Sequence, residues 1–150
     1  MKAIFGRPIG SVAAGGCHVG VDVVTLYKGQ VVLFERPGLK SVGQDLGDLW
    51  FPWDYLEYGE APEMAAKRVL KQWGKSEAKT LKLIEVFSMV PPQEDWKLAF
   101  QYVAELKLPA KTGLNVKSIK VINQAQLPRM VGELRRSDIK RYLQLAGLGA

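Results

Sequence analysis

The sequence contains few of the cysteine and histidine residues that stabilise small proteins through disulfides or bound metal ions. It has one cysteine, Cys17, and one histidine, His18. A single cysteine cannot form an internal disulfide, and this pair is too small a ligand set for a structural zinc site. No apolar run approaches the roughly 18 residues of a membrane-spanning helix, and glycines and a proline interrupt the N-terminal apolar stretch. We therefore expect a cytoplasmic protein that does not associate with membranes.

Length and composition predict a single domain over residues 1–150. The chain is 24% charged and 47% hydrophobic, which is ordinary for a globular protein. A chain of this size buries roughly two thirds of its unfolded surface, so its stability does not require a disulfide or a metal site. The 15 glycines and 8 prolines are spread along the chain, and neither a repeat nor a linker divides it.

The net charge of +6 is concentrated in the last third of the chain. Residues 105–150 contain nine of the 21 basic residues and three of the 15 acidic ones. Such a concentration attracts phosphate groups or acidic partner surfaces, although a solvated face that aids solubility explains it equally well. The candidate ligand-binding cations are Lys117, Lys120, Arg135, Arg136, Lys140 and Arg141.

Hydrophobic periodicity predicts an α+β fold. Valine-rich alternation predicts strands, and they are expected at 18–27, 30–36, 80–90, 96–107 and 119–123, with a short extended piece at 49–56. A helix is expected at 62–73, with Pro62 in its first turn and Gly74 at its C-terminal end. A second helix is expected at 138–146, with Ser137 as its N-cap. This order predicts a mixed β-sandwich with flanking helices.

Residues 50–74, WFPWDYLEYGEAPEMAAKRVLKQWG, resemble the Nudix box, a strand-loop-helix motif. The match includes Phe-Pro at 51–52, Gly-Glu at 59–60 and Ala-Ala-x-Arg at 65–68. The other matching residues are Glu57, Pro62, Glu63, Leu70 and Gly74. The strands on either side follow the order of that family, so the resemblance covers about residues 18–142. It implies a Nudix-like mixed β-sandwich with flanking helices.

The chain departs from this motif where the resemblance implies the chemistry. In Nudix hydrolases, glutamates on the box helix hold Mg²⁺ or Mn²⁺, and the corresponding positions here are Val69, Gln72 and Trp73. Two later acidic positions are Lys117 and Gln126. Mg²⁺ requires oxygen ligands, mostly carboxylates, and valine and tryptophan supply none. We therefore expect a domain without hydrolase activity or a metal cofactor, which binds a nucleotide, RNA or a protein assembly.

The alternative is a divergent Nudix hydrolase that cleaves a nucleoside diphosphate linked to another group, with Mg²⁺ or Mn²⁺ as cofactor. Glu57, Glu60 and Glu63 are three residues apart around the helix start, and with Arg68 they are the candidates for a displaced catalytic and metal site. The competing interpretation is that these carboxylates only stabilise the positive end of the helix dipole.

Aromatic and apolar residues of the box suggest two further contacts. Trp53, Tyr55 and Tyr58 suit stacking on a nucleobase, although packing within the loop explains them as well. Val69 and Trp73 are four residues apart and share one helix face. We expect residues 37–49 or a partner to cover this face. A homodimer through the helix face or an edge strand is compatible with either function.

Overall fold

The computed structural model describes residues 17–38, 48–89 and 96–150. Within these ranges, no helix is long and apolar enough to cross a membrane. The strands are β1 (Cys17–Tyr27), β2 (Gln30–Glu35), β3 (Leu49–Trp50), β4 (Trp53–Tyr55), β5 (Ala78–Met89), β6 (Trp96–Leu106), β7 (Ser118–Ile122), β8 (Met130–Val131) and β9 (Leu134–Arg135). The helices are α1 (Pro62–Gly74) and α2 (Arg136–Leu145), with a short 3₁₀ turn at Gln124–Gln126.

Strand β1 lies at the centre of a mixed sheet. It pairs in parallel with β6, from Cys17 opposite Trp96 to Leu26 opposite Glu105, and it forms an antiparallel hairpin with β2. Strand β5 pairs antiparallel with β6, and β7 pairs antiparallel with β2. The sheet and the two helices confirm the predicted α+β class.

Strands β1 and β2 separate beyond their hairpin, and the predicted extended piece 49–56 fills the gap. Its first part, β3, pairs with β2, and its second part, β4, pairs with β1. Between them, the carbonyl of Pro52 accepts a hydrogen bond from the Val23 N–H at 2.9 Å. Proline fixes φ and cannot donate to a strand partner. The piece is therefore two short strands rather than one.

The alternation of side chains along β1 separates two cores. Val21 and Val23 join the core beneath α1, whereas Val24 and Leu26 join the core beneath α2. Successive residues of a strand face opposite sides of the sheet. Asp22 therefore lies on the α2 side.

Two helix boundaries differ from the sequence prediction. The left-handed residue that ends α1 is Lys75, at φ 47°, and Gly74 still belongs to the helix. Gly74 allows a close approach instead, because a Cβ there would lie 2.9 Å from the ring of Phe34. Helix α2 begins at Arg136, before the predicted start, because β9 runs directly into it. Ser137 is therefore inside the helix, and its predicted capping role is wrong.

The apolar face of α1 is covered by the chain itself. Val69 and Trp73 are 0% and 2% exposed. The ring of Phe34 meets Trp73 edge to face, and the guanidinium of Arg36 lies 4.5 Å from the Trp73 ring centroid. Most of the predicted cover, 37–49, falls outside the described residues. The contacts of the described residues already bury this face, so it needs no partner.

The segment 111–114 closes the C-terminal end of α1. The backbone N–H groups of Lys111, Gly113 and Leu114 donate to the last carbonyls of the helix at 2.7–2.9 Å. Within a helix, the last carbonyls have no N–H group to accept from, so donors from outside the helix stabilise them. A Cβ on Gly113 would lie 2.1 Å from the carbonyl oxygen of Gln72. Only a glycine allows this segment to pass so close to the helix.

Candidate functional site

A cavity of about 490 Å³ opens on the α2 side of the sheet. Strands β1 and β6 form its floor. The segment 50–55, strand β5, the β8–β9 hairpin and α2 surround it. Its lining residues are His18, Gly20, Val21, Asp22, Trp50, Phe51, Trp53, Tyr55, Glu85, Phe87, Lys97, Leu98, Ala99, Gln101, Val131, Glu133, Leu134, Asp138, Arg141 and Tyr142.

Four cavity residues form a row across four neighbouring strands, which we call the cross-strand row. Asp22 on β1 is opposite Trp53 on β4 and opposite Gln101 on β6. Gln101 is in turn opposite Glu85 on β5. Residues in register on adjacent strands project from the same face of a sheet. The row therefore places three hydrogen-bonding side chains and one indole side by side at the cavity.

Gln101 is completely buried, yet its side-chain oxygen has no partner. Its Nε2 donates to the backbone oxygen of Asp22 at 3.2 Å, to Asp22 Oδ1 at 3.0 Å and to the backbone oxygen of Tyr102 at 3.1 Å. Among the described residues, no donor reaches Gln101 Oε1. A buried acceptor left without a hydrogen bond costs about 1–3 kcal/mol. The oxygen has no accessible surface, so a ligand in the cavity could reach it only if the side chains around it moved.

The carboxyl group of Asp22 is held in an environment that favours its neutral form. Burial raises its pKa to about 7, and the negative charge of Glu133 acts in the same direction. The hydrogen bond from Gln101 opposes this rise without cancelling it. The charged form of a carboxyl loses solvation when protein encloses it. Asp22 therefore changes protonation state near neutral pH.

Aromatic rings form one side of the cavity. The ring centroids of Trp50 and Trp53 are 6.4 Å apart, and Tyr55 meets Trp53 edge to face at 5.6 Å. The indole N–H groups of both tryptophans are buried without an acceptor among the described residues. Flat aromatic surfaces of this kind suit stacking on a planar heterocycle.

An ion pair connects the opposite sides of the cavity. The guanidinium of Arg141 on α2 donates to both oxygens of Glu85 on β5, at 2.9 and 3.0 Å. It also lies 4.8 Å from the ring centroid of Tyr142. The hydrogen bond from Arg141 is the main reason that the pKa of Glu85 is lowered. Because this pairing is bidentate, it fixes the orientation of both side chains.

A second polar cluster lies on the α1 side of the sheet, centred on Arg68. Its guanidinium donates to both oxygens of Glu60 at 2.9 Å and to Asp54 Oδ2 at 2.8 Å. It also donates to the backbone oxygen of Tyr55 at 2.8 Å and to Gln72 Oε1 at 3.2 Å. These contacts attach the loop before α1 to the helix. They explain the positions and the charge pairing of Arg68 and Glu60 without any role in binding a substrate.

The other two candidate carboxylates of the displaced metal site are exposed on the surface. Glu57 lies 3.9 Å from Arg68, with its side chain 70% exposed. Glu63 pairs with Lys67 at 3.6 Å, with its side chain 64% exposed. Across the described ranges, no three His, Cys, Asp or Glu side chains are grouped so that they could hold a metal ion.

The helix positions that correspond to the metal ligands of Nudix hydrolases do not fit a metal either. Val69 and Trp73 are in the core, and Gln72 accepts a hydrogen bond from Arg68. One neutral amide oxygen among apolar side chains cannot replace a set of carboxylates around Mg²⁺. These positions on α1 therefore do not form a metal site.

We expect acid to weaken the fold through Glu60. The hydrogen bond from Arg68 lowers the pKa of Glu60 more than any other interaction does. A carboxyl with a lowered folded pKa adds stability above its unfolded pKa and loses it as the pH falls through the folded value. The urea midpoint of the wild type should therefore drop below about pH 4.5. The Glu60→Gln variant should show a smaller drop.

The exposed Glu63 provides the matched control for this acid titration. Glu63→Gln should keep the acid dependence of the wild type, because its surface pair with Lys67 contributes little. Coinciding profiles for the wild type and Glu60→Gln would contradict the role of the Arg68 cluster.

The structure divides the predicted ligand-binding residues into three groups. Trp53, Tyr55 and Arg141 line the cavity. Tyr58 is fully exposed in the turn before α1. The remaining residues lie outside the cavity lining: Lys117 and Lys120 before and on β7, and Arg135, Arg136 and Lys140 exposed on β9 and α2.

Asp22, Gln101 and Glu85 were missed by the sequence analysis. For Asp22 and Gln101, the sequence did contain a signal. Asp22 interrupts the run VDVV and Gln101 interrupts FQYV, and a polar residue inside a predicted buried strand requires a partner. Finding that partner requires the strand register, which the sequence pattern alone does not provide.

Comparison with known proteins assigns the fold. No protein-family model matches the sequence, and no curated protein matches it. Solved Nudix structures do match. A MutT Nudix hydrolase from Burkholderia pseudomallei has 15% identity and a TM-score of 0.67, over 82% of this chain and 95% of the other. The Nudix domain of Shewanella oneidensis NrtR, complexed with ADP ribose, has 15% identity and a TM-score of 0.67, over 90% and 89%.

A third match is a variant of the Bacillus subtilis pyrophosphohydrolase BsRppH. It has 20% identity and a TM-score of 0.65, over 85% of this chain and 80% of the other. All three cover most of both chains. This chain therefore has the Nudix hydrolase fold, which is the fold that the sequence resemblance implies.

Proposed function

We propose that this Nudix-fold domain binds a nucleotide in the cavity and does not hydrolyse it. The proposal is supported by the contrast between the α1 positions and the cavity. The helix positions that would need carboxylates are buried in the core at Val69 and Trp73. The cavity, by contrast, is lined by Gln101, Trp50 and Trp53, each of which has a buried polar atom without a partner among the described residues.

The cavity favours the base of a nucleotide. Its volume is within the range of small-molecule pockets, and such sites combine apolar surface with a few polar groups. The rings of Trp50, Trp53 and Tyr55 offer stacking surfaces. The structural relative NrtR is a Nudix domain complexed with ADP ribose, which supports a ligand of this class here.

Exposed cations favour the phosphates. Arg135, Arg136 and Lys140 are exposed on β9 and α2, and the same helix lines the cavity with Asp138 and Arg141. A phosphate that leaves the cavity along α2 meets this positive surface. Binding should therefore weaken as the salt concentration rises.

The absence of hydrolysis follows from the charge requirement of pyrophosphate cleavage. In metal-dependent hydrolysis the ions polarise the phosphate and generate the attacking hydroxide. On α1, the nearest polar groups are already engaged, since Arg68 holds Glu60, Asp54 and Gln72. A nucleotide bound here lacks the charges that would activate water.

Binding of ADP-ribose by calorimetry tests the proposal, once in EDTA and once in Mg²⁺. We expect binding in both buffers and no release of AMP. Trp53→Ala should weaken binding by about tenfold or more, because base–aromatic stacking contributes about 1–3 kcal/mol. Tyr58→Ala is the matched control, since Tyr58 is exposed away from the cavity, and it should bind as the wild type does.

Three outcomes would contradict the proposal. Mg²⁺-dependent AMP release that Glu60→Gln removes would support the hydrolase alternative. Binding that Trp53→Ala leaves unchanged, but that Arg135→Glu with Arg136→Glu abolishes, would place the ligand on the basic surface and favour RNA. Failure to bind any nucleotide would exclude the cavity as a nucleotide site.

A further inference from the structure

We propose that the C-terminal end of α1, together with the segment 107–114 that closes it, binds the surface of an anionic lipid bilayer. We call this region the lysine–leucine surface, and its exposed side chains are Lys71, Lys75, Lys107, Leu108, Lys111 and Leu114. None of these residues lines the cavity. The inference therefore does not rest on the proposed function, and it adds a second binding surface to the domain.

The segment 107–114 is fixed against the helix end by its backbone and its inner side chains. Besides the three N–H groups that close α1, the N–H of Lys107 donates to the carbonyl of Glu77 at 3.0 Å. The segment thus runs antiparallel to residues 72–77. On the inner side, Ala110 and Val116 pack against the core beneath α1. The outward side chains of the segment are not needed to hold it in place.

Two leucines of this segment are directed into solvent. Leu108 is 71% exposed and Leu114 is 67% exposed, whereas the smaller side chain of Ala110 between them packs inward. A single exposed leucine is common on a protein surface. Two leucines on one fixed segment leave apolar area in water, and a partner that covers them gains the free energy of burying it.

The charge around these leucines is positive. Residues 71–77 and 107–114 contain four lysines and one glutamate, which gives a net charge of +3. The glutamate, Glu77, pairs with Lys107 at 3.4 Å. Within the described ranges, no carboxylate forms an ion pair with Lys71, Lys75 or Lys111. These three ammonium groups are therefore available to an anionic partner.

Lys75 occupies a backbone conformation that favours glycine. Its φ is 47°, and helices commonly place a glycine at this left-handed position. The helix dipole favours a cation nearby, but Lys71 in the last turn already supplies one. The last carbonyls of α1 also accept hydrogen bonds from the segment 107–114. A lysine at position 75 therefore adds charge to the surface at a conformational cost, which indicates a role outside the fold.

An anionic bilayer fits this composition better than a protein or RNA does. Protein interfaces are depleted in lysine, and their energetic hot spots are poor in leucine. Single-stranded RNA is bound by stacking on aromatic or arginine side chains, and the lysine–leucine surface contains neither. At a membrane interface, leucine enters the acyl boundary while lysine meets the lipid phosphates. A domain bound in this way needs no spanning segment, so the lack of a long apolar run does not exclude it.

Co-sedimentation with vesicles tests the inference. One vesicle type contains only phosphatidylcholine, and the other also contains about 30% phosphatidylglycerol. The wild type should bind the anionic vesicles much more tightly, and raising the salt concentration from about 0.1 M to about 0.5 M should release it. The double variants Leu108→Ser with Leu114→Ser, and Lys71→Gln with Lys111→Gln, should each lower the partition constant by about tenfold or more. Urea denaturation checks that both variants fold, as their exposed side chains predict.

Matched controls remove the same kinds of side chain elsewhere. Leu145 on α2 is 62% exposed, and Lys28 and Lys120 are exposed in the β1–β2 turn and on β7. Leu145→Ser, and Lys28→Gln with Lys120→Gln, should bind the anionic vesicles as the wild type does.

Three results would overturn the inference. The first is equal binding, or no binding, to the two vesicle types. The second is an equal loss in the lysine control, which would assign the effect to net charge alone. The third is binding of poly(U) RNA, without vesicle binding, that Lys71→Gln with Lys111→Gln abolishes, which would assign the surface to nucleic acid. Calorimetry with ADP-ribose tests the cavity separately in each variant.

Discussion

At about pH 8, replacing Asp22 by asparagine is expected to stabilise the protein by about 2–3 kcal/mol, whereas at about pH 4 it should change little. The carboxyl of Asp22 has a pKa of about 7 in the folded protein and near 3.8 when unperturbed. The folded state thus binds this proton more tightly than the unfolded chain. Stability falls as the pH rises between these two values.

The Asp22→Asn variant lacks this titration. Its amide stays neutral and can still accept the hydrogen bond from Gln101, so folding loses nothing as the pH rises. The expected gain is smaller than the full pKa difference implies, because the side chain of Asp22 reaches an open cavity and retains some solvation. Urea denaturation at the two pH values measures the effect.

A second aspartate separates this effect from a general change of charge. Asp138 also lines the cavity, in the first turn of α2. Asp138→Asn should therefore change stability by a similar small amount at both pH values. Parallel pH profiles for the wild type and Asp22→Asn would show that the fold does not hold Asp22 in its neutral form.

Replacing Val69 by glutamate should cost at least about 3 kcal/mol of folding stability and should not create a hydrolase. The substitution restores a carboxylate at a position where Nudix hydrolases carry a catalytic one. In this chain, however, the side chain of Val69 is 0% exposed and packs in the core beneath α1. A carboxylate there is desolvated without a cation to pair with it.

Met64→Glu makes the same kind of change on an exposed part of the same helix. Met64 is 63% exposed, so this variant should remain within about 0.5 kcal/mol of the wild type. Urea denaturation with and without Mg²⁺ compares the two variants. A Val69→Glu variant that folds as well as the wild type and gains stability from Mg²⁺ would mean that this face opens and holds a metal.

The order of the elements could be predicted because each one has its own local signal. The alternation over 18–27 and 96–107 indicates strands, and the periodicity after Pro62 indicates a helix. The element boundaries do not follow from such local signals, because they depend on contacts between elements. Gly74 does not end α1 as a left-handed residue but makes room for Phe34, and the sequence does not reveal that contact.

The residues at 57–63 show that sequence spacing also does not determine which side chains meet at the site. Their spacing allowed Glu57, Glu60 and Glu63 to be considered as one cluster. In the structure, Glu60 instead forms an ion pair with Arg68, and Glu63 forms one with Lys67. Spacing along a helix start restricts which side chains can meet, but competition for a nearby guanidinium decides which do.

The sequence by itself therefore determined the class of the fold, the order of its elements and the lack of carboxylates at Val69, Gln72 and Trp73, since these follow from local periodicity and residue type. Only the tertiary structure placed Asp22 beside Gln101, 79 residues away along the chain. Alternation specifies which face of a strand a side chain occupies. The parallel register of β1 and β6 specifies its neighbour, and that register is set by the packing of the whole sheet against both helices.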